Sequence, residues 1–266
     1  FPIRGVVRAE RLSLSMAENA LGGRIAIVTG AGRGIGKAIA QRLHDDGATV
    51  VLTDLDENNA RDAAEDIGAS GALCFGGNLA KEEVAGALIG KVIERHGRID
   101  ILVNNAGGGI LRPFLEHTPE TLVETIDRNL WTGIWCCWHA LPHMQKAGWG
   151  RVINLGADSV RNGLFDHAAY NAAKGGLHGI TTGLAREFAL DGITVNTVAP
   201  CVVDTPQVED VRRVNPELIE KVYSVIPMHR GAKMEEVASM VAYLATDDAA
   251  FVTGQVISVN GGTTML

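Results

Sequence analysis

From Arg24 onward, short apolar runs alternate with longer segments whose apolar residues recur at three- and four-residue spacing, and that alternation restricts the chain to very few folds. The runs are IAIVT (Ile25 to Thr29), TVVLT (Thr49 to Thr53), ILVNN (Ile101 to Asn105), RVINL (Arg151 to Leu155), ITVNTVA (Ile193 to Ala199) and VISV (Val256 to Val259). They are almost uniformly apolar, as strands covered on both faces must be. Between them GKAIAQRLHDDG, EEVAGALIGKVIERHG and AAKGGLHGITTGLAREFALDG read as helices, each closed by a glycine just past its last apolar position. Strands separated by helices imply βαβ units and a parallel sheet with helices on both faces.

No proline-rich linker or internal repeat divides the 266 residues. A single domain over residues 22–266 is expected, interrupted at about 205–233 by a helical lid of mixed polarity. Residues 1–21 read as a disordered tail. The tail's first fifteen residues hold three arginines without a long apolar stretch or a small-residue cleavage site, which makes a poor signal peptide; a natural start at Met16 is equally open. The formal net charge of -7, with no basic stripe, argues against a nucleic-acid partner. No run of 18 apolar residues suggests a membrane span. Cys74, Cys136, Cys137 and Cys201 form no C-x-x-C pair and read as reduced thiols of a cytoplasmic protein.

The first strand runs into Thr29-Gly30-Ala31-Gly32-Arg33-Gly34-Ile35-Gly36 and then a helix. Glycines in such a turn let backbone N–H groups approach a pyrophosphate at the positive end of the helix. Asp54 follows the second strand, where an acid meets the adenosine ribose hydroxyls and repels a 2′-phosphate. NAD is therefore favoured, with NADP still open because Arg33 could serve a phosphate. Further on, Asn104-Asn105-Ala106-Gly107 ends a strand, its small residues allowing close packing beside a cofactor. Tyr170 and Lys174 in YNAAK lie four residues apart, on one face of a helix. A tyrosine with a free pKa of about 10 is a poor base at neutral pH; lowering it by roughly three units takes about 4 kcal/mol, which a nearby ammonium and a charged nicotinamide ring would contribute.

With T-G-x-x-x-G-x-G, N-N-A-G and Y-x-x-x-K in this order, and Asn260-Gly261-Gly262 near the end, the chain resembles the classical short-chain dehydrogenase/reductase (SDR) family over Arg24 to about Gly262. The resemblance implies a doubly wound, Rossmann-type α/β domain of seven parallel strands, assembled as a homotetramer. It also implies hydride exchange between a nicotinamide cofactor and a small-molecule secondary alcohol or ketone, with cyclic alcohols, diols and 3-oxoacyl compounds as candidate substrates. Tyr170 would exchange the proton, Lys174 would hold the nicotinamide ribose, and Asn129 in DRNLWTG would support a relay water. Gly30, Gly32, Arg33, Gly34, Ile35, Gly36, Asp54, Asn78, Leu79, Asn105, Ala106 and Gly107 would hold the dinucleotide along with the catalytic pair. Pro200, Val203 and Thr205 would meet its carboxamide. Asn78 stands where the family usually has aspartate, and Cys201 where it has glycine.

The main departure is Ala157, thirteen residues before Tyr170, where the family carries a serine donating to the substrate oxygen. Ser159, two residues on, would share its side of an extended segment but lie about 6 to 7 Å further along. Either Ser159 replaces the donor, or the site works without one, or the enzyme is weak; a lost preorganised donor costs roughly a hundred- to a thousandfold. A catalytically weak dinucleotide-binding sensor or scaffold is thus the alternative. Gly108, Gly109, Ile110, Phe165 and Val203 to Val208 are expected to line an apolar substrate cleft. Arg161, Arg212 or Arg213 are candidates to receive a carboxylate, although surface solvation suits each as well. His167 lies close enough to Tyr170 to face substrate, or is simply solvated. Cys136, Cys137, His139 and His143 have spacing suggestive of a metal, but Pro142 intervenes and core packing accounts for them, so no metal is expected.

Overall fold

The computed structural model describes residues 19–265. Most of the expected tail lies outside the described residues, but its last residue does not behave as tail: Leu21 is buried and donates its amide to the Asp46 carbonyl at 2.8 Å. Leu21 thus packs with the domain, although a lone leucine beside glycines gives no periodic signal.

In chain order the elements are β1 (Ile25–Thr29), α1 (Gly34–Asp45), β2 (Thr49–Asp54), α2 (Glu57–Asp66), β3 (Leu73–Gly76), α3 (Glu82–His96), β4 (Ile101–Asn104), α4 (Pro119–Ile126), α5 (Thr132–Ala147), β5 (Gly150–Leu155), α6 (Ser159–Asn162), α7 (Ala168–Phe188), β6 (Ile193–Pro200), α8 (Pro206–Val214), α9 (Pro216–Ser224), α10 (Met234–Ala245) and β7 (Val256–Val259). The seven strands form one parallel sheet in the order β3-β2-β1-β4-β5-β6-β7. All six strands read from the sequence are present; the seventh, β3, is a short edge strand whose run Leu73-Cys74-Phe75 ends at glycine.

The reason for uniformly apolar strands is visible in β1. Ala26 and Val28 pack into the core beneath α1 and α10, while Ile25 and Ile27 pack into the opposite core with α3 and α5. The order reverses between β1 and β4, and α/β sheets bind ligands beyond the carboxyl ends of the strands at such a switch point. Region 205–233 carries α8 and α9, each opening with a proline and capped by the Thr205 or Asn215 side chain.

A buried polar ladder crosses the sheet just below that end. Asn104 Nδ2 donates to Asn154 Oδ1 at 2.8 Å, and Asn154 Nδ2 donates to Thr181 Oγ1 at 2.9 Å. The Thr181 and Thr197 hydroxyls are 2.7 Å apart. Four elements, β4, β5, α7 and β6, are thereby fixed in mutual register.

Candidate active site

A cavity of about 1470 Å³ opens beyond the carboxyl ends of the strands, running from the glycine turn to Tyr170 and on to α8 and α9. Single ligand pockets span roughly 300–1,000 Å³, so this one has room for a dinucleotide and a small substrate together.

At the dinucleotide end the glycines are required by sterics. A Cβ on Gly36 would lie 2.1 Å from the Gly30 carbonyl oxygen, and one on Gly32 would lie 2.6 Å from Asp54 Oδ2. Gly30 and Gly34 adopt φ of +62° and +57°. The α1 N-terminus has no side-chain cap, since Arg33 precedes it without bonding back, so its amides are available to an anion. Asp54 accepts from the Gly32 amide at 3.2 Å, which fixes a carboxylate at the rim of the turn. Asn105 Nδ2 donates to the carbonyls of Thr29 and Gly30 at 2.9 and 3.0 Å, tying the β4 end to the same turn. These residues fit a nicotinamide dinucleotide. Gly30, Arg33, Gly34, Ile35, Gly36, Asp54, Asn78, Leu79, Asn105, Ala106, Gly107, Pro200, Val203 and Thr205 all line the cavity, whereas Gly32 shapes the turn from outside it. Asn78 Oδ1 accepts from the Ala80 amide at 3.0 Å, so that side chain also holds its own turn.

At the other end, α7 begins at Ala168, placing Tyr170 in its first turn and Lys174 one turn later. Lys174 is only 4% exposed, and its Nζ donates to the Leu155 carbonyl at 2.7 Å and lies 5.8 Å from the Tyr170 ring centroid. Burial pushes the Tyr170 phenol up to about 12 and the Lys174 ammonium down to about 8. In the cofactor-free site desolvation sets both values, so the lowering of the phenol expected from the ammonium together with a charged nicotinamide ring is left to the cofactor-bound state. Asn129 sits in a single π-helical turn, Asp127–Trp131, between α4 and α5. Completely buried, it accepts from the Gly108 amide at 3.0 Å and donates to the Gly108 and Thr125 carbonyls, each at 2.9 Å. A Cβ on Gly107 would meet both Asn129 Oδ1 and Lys174 Nζ, so the strand end touches these two side chains.

Ala157 lines the cavity beside this pair. Ser159 does not continue an extended segment; it opens the short helix α6, and its hydroxyl donates to Asn171 Oδ1 at 2.6 Å. The extended geometry assumed from sequence is replaced by a helical turn, which directs the hydroxyl to α7. Between them, Asp158 is wholly buried and accepts from Ser258 Oγ at 3.0 Å and Thr264 Oγ1 at 2.8 Å, fastening the loop to the C-terminal segment. Nothing local in the sequence reveals partners a hundred residues away.

Several expected pocket residues are elsewhere. Phe165 is 94% exposed, and neither it nor Ile110 lines the cavity, whereas Asn162, Leu164 and His167 do. Arg161 turns away to Ser258 Oγ and the Val256 carbonyl, each at 2.8 Å. Arg212 binds Glu209 and Tyr223, and Arg213 pairs with Asp210, so none of the three arginines reaches the cavity. Cys136 and Cys137 are buried, with thiols pushed up by desolvation, and His139 Nε2 lies 2.7 Å from Glu82. No group of three or more His, Cys, Asp or Glu among the described residues is placed to hold a metal ion, and no helix there is long and apolar enough to cross a membrane.

A family model described as enoyl-(acyl carrier protein) reductase matches residues 30–264. The chain is 56% identical over 257 residues to 2,3-dihydroxy-2,3-dihydro-p-cumate dehydrogenase of Pseudomonas putida, covering 95% of this chain and 99% of that one. It is 32% identical to 1,6-dihydroxycyclohexa-2,4-diene-1-carboxylate dehydrogenase of Acinetobacter baylyi, covering 90% and 95%. With 3-oxoacyl-(acyl-carrier-protein) reductase FabG of Vibrio cholerae the identity is 36%, covering 92% and 99%. These likenesses span the glycine turn, the cavity and the Tyr170 helix alike. The chain accordingly belongs to the short-chain dehydrogenase/reductase family, and is an oxidoreductase that exchanges a hydride between a nicotinamide cofactor and an alcohol or ketone.

Proposed function

We propose that the protein oxidises a vicinal diol on a cyclohexadiene ring, with NAD⁺ as acceptor. The observation that carries the reading is the near full-length likeness to a dehydrogenase named for such a diol, joined by a second relative whose named substrate is also a ring-borne vicinal diol. The mainly apolar cleft formed by Leu111, Leu164, Val202, Val208 and Val225 suits a carbocyclic ring. Bound NAD⁺ supplies the hydride acceptor and a positive charge near the phenol. Tyr170 would take the hydroxyl proton, Lys174 would steady the phenolate and hold the ribose, and Asn129 keeps the Gly108 backbone in place. The resulting ketone is a tautomer of an aromatic diol, which makes oxidation the favoured direction.

Asp54 supports NAD⁺ over NADP⁺, because a carboxylate at the turn's rim repels a 2′-phosphate. The stacked Trp131 and Trp135, with the 61%-exposed Trp138 beside them, support self-association, for which a homotetramer is our expectation, and a cytoplasmic setting suits the unpaired cysteines. The test follows reduced-cofactor absorbance with NAD⁺ and NADP⁺ against cyclohexadiene diols, cyclic mono-alcohols and, in reverse, 3-oxoacyl thioesters. The diols with NAD⁺ should give the highest kcat/KM; a maximum on a 3-oxoacyl thioester would overturn the proposal. Asp54→Ala should shift the NAD⁺/NADP⁺ preference toward NADP⁺ by about tenfold or more, as expected for removing one repelling charge of roughly 1.4 kcal/mol.

Because its hydroxyl is committed to Asn171, Ser159 is read as holding α6 against α7. Ser159→Ala should lower kcat by less than about tenfold, the scale of one neutral hydrogen bond. A loss of a hundredfold or more would mark it instead as the substrate-oxygen donor that Ala157 lacks.

A further inference from the structure

Tyr170 deals with one hydroxyl of a vicinal diol. The other also leaves water on entering the cleft, and without a partner there it weakens binding. Ala157 has nothing to offer it, Ser159 is engaged with Asn171, and Arg161 faces Ser258 and Val256.

His167 is differently placed. Its ring stands edge-on to the Tyr170 ring, with centroids 5.9 Å apart and planes at 80°, and it lines the same cavity. Its Nδ1 lies 2.5 Å from the Phe165 carbonyl oxygen. A carbonyl can only accept, so Nδ1 carries a proton, and in that tautomer of the imidazole Nε2 is the acceptor. Nε2 has no partner among the described residues, yet it is not one of the sealed, unpartnered buried atoms. Nor is the side chain needed by the helix: His167 is the N-cap of α7 but caps no amide with its ring.

We infer that His167 determines specificity for vicinal diols, its Nε2 accepting a hydrogen bond from the hydroxyl that is not oxidised while Tyr170 takes the proton of the one that is. The assignment rests on the diol reading above. A lone-pair acceptor suits a hydroxyl and disfavours a carboxylate, so the diol's second oxygen rather than a ring carboxylate is its ligand.

The test compares three substrates: an unsubstituted cyclohexadiene vicinal diol, the same diol bearing a ring carboxylate, and a cyclohexenol with one hydroxyl. His167→Phe should lower the ratio of kcat/KM for either diol to that for the mono-alcohol by about tenfold, mostly through KM. His167→Gln, which restores an acceptor, should recover part of the ratio, and NADH titration should confirm that both variants retain a formed cofactor site. An unchanged ratio, or a loss confined to the carboxylated diol, overturns the assignment while the diol reading stands. A wild-type protein that oxidises neither diol overturns both.

Discussion

Tyr170→Phe should lower kcat on any oxidised alcohol by roughly a thousandfold, within the 10²–10⁴ range attributed to a positioned acid or base, while NADH still binds. Phenylalanine fills the same space beside His167 and removes only the hydroxyl, so the loss isolates proton transfer from packing. The same variant tests the ionisation of the cofactor-free site. Burial holds the phenol at about 12, so ultraviolet difference spectra between wild type and variant should show a tyrosine titrating well above a free phenol. A titration below about 10 would mean that Lys174 outweighs desolvation after all. Adding NAD⁺ should move the titration downward.

Lys174→Met should likewise depress kcat by a hundredfold or more, but its second effect is on stability. The buried ammonium is held down at about 8, against a free lysine at about 10.4. Between those values the unfolded chain binds a proton that the folded one has released, so wild-type stability rises with pH across this window. The wild type should therefore gain roughly 2–3 kcal/mol on Lys174→Met between pH 7 and pH 10, measured by denaturant unfolding without cofactor. Comparing two pH values cancels the separate cost of leaving the Leu155 carbonyl without its donor. A parallel pair of stability profiles would show that water reaches Lys174 in solution.

Much of this molecule is legible in the amino-acid sequence alone. Strands covered on both faces must be apolar throughout, and β1, β2, β4, β5 and β6 are legible by that rule. β3 is less legible because its three apolar residues, Leu73-Cys74-Phe75, are closed at once by Gly76 and Gly77. The glycine turn was legible because a 2.1 Å contact tolerates no other residue at Gly36. The Tyr170–Lys174 spacing follows from helix geometry alone. What stayed hidden depends on direction and on distant partners. Arg161 could be named as a cation, but not as one committed to β7; Phe165 could be named as apolar, but not as pointing outward. The rise of the phenol's pKa in the cofactor-free site is hidden for the same reason, since burial is a property of everything around a group.

The ladder of Asn104, Asn154, Thr181 and Thr197 has a consequence for how such a protein can diversify. Helices that meet a sheet through methyl groups alone can slide by fractions of a turn with little penalty, whereas each step here would break several buried hydrogen bonds. The helix bearing Tyr170 is thus indexed to the sheet independently of whatever substrate is present. The cleft-lining residues of the intervening loops, among them Gly108, Leu111, Asn162, Leu164, His167 and Val203, lie outside that ladder. Mutation can recarve the cleft for a new ring or chain while the proton-transfer axis keeps its alignment.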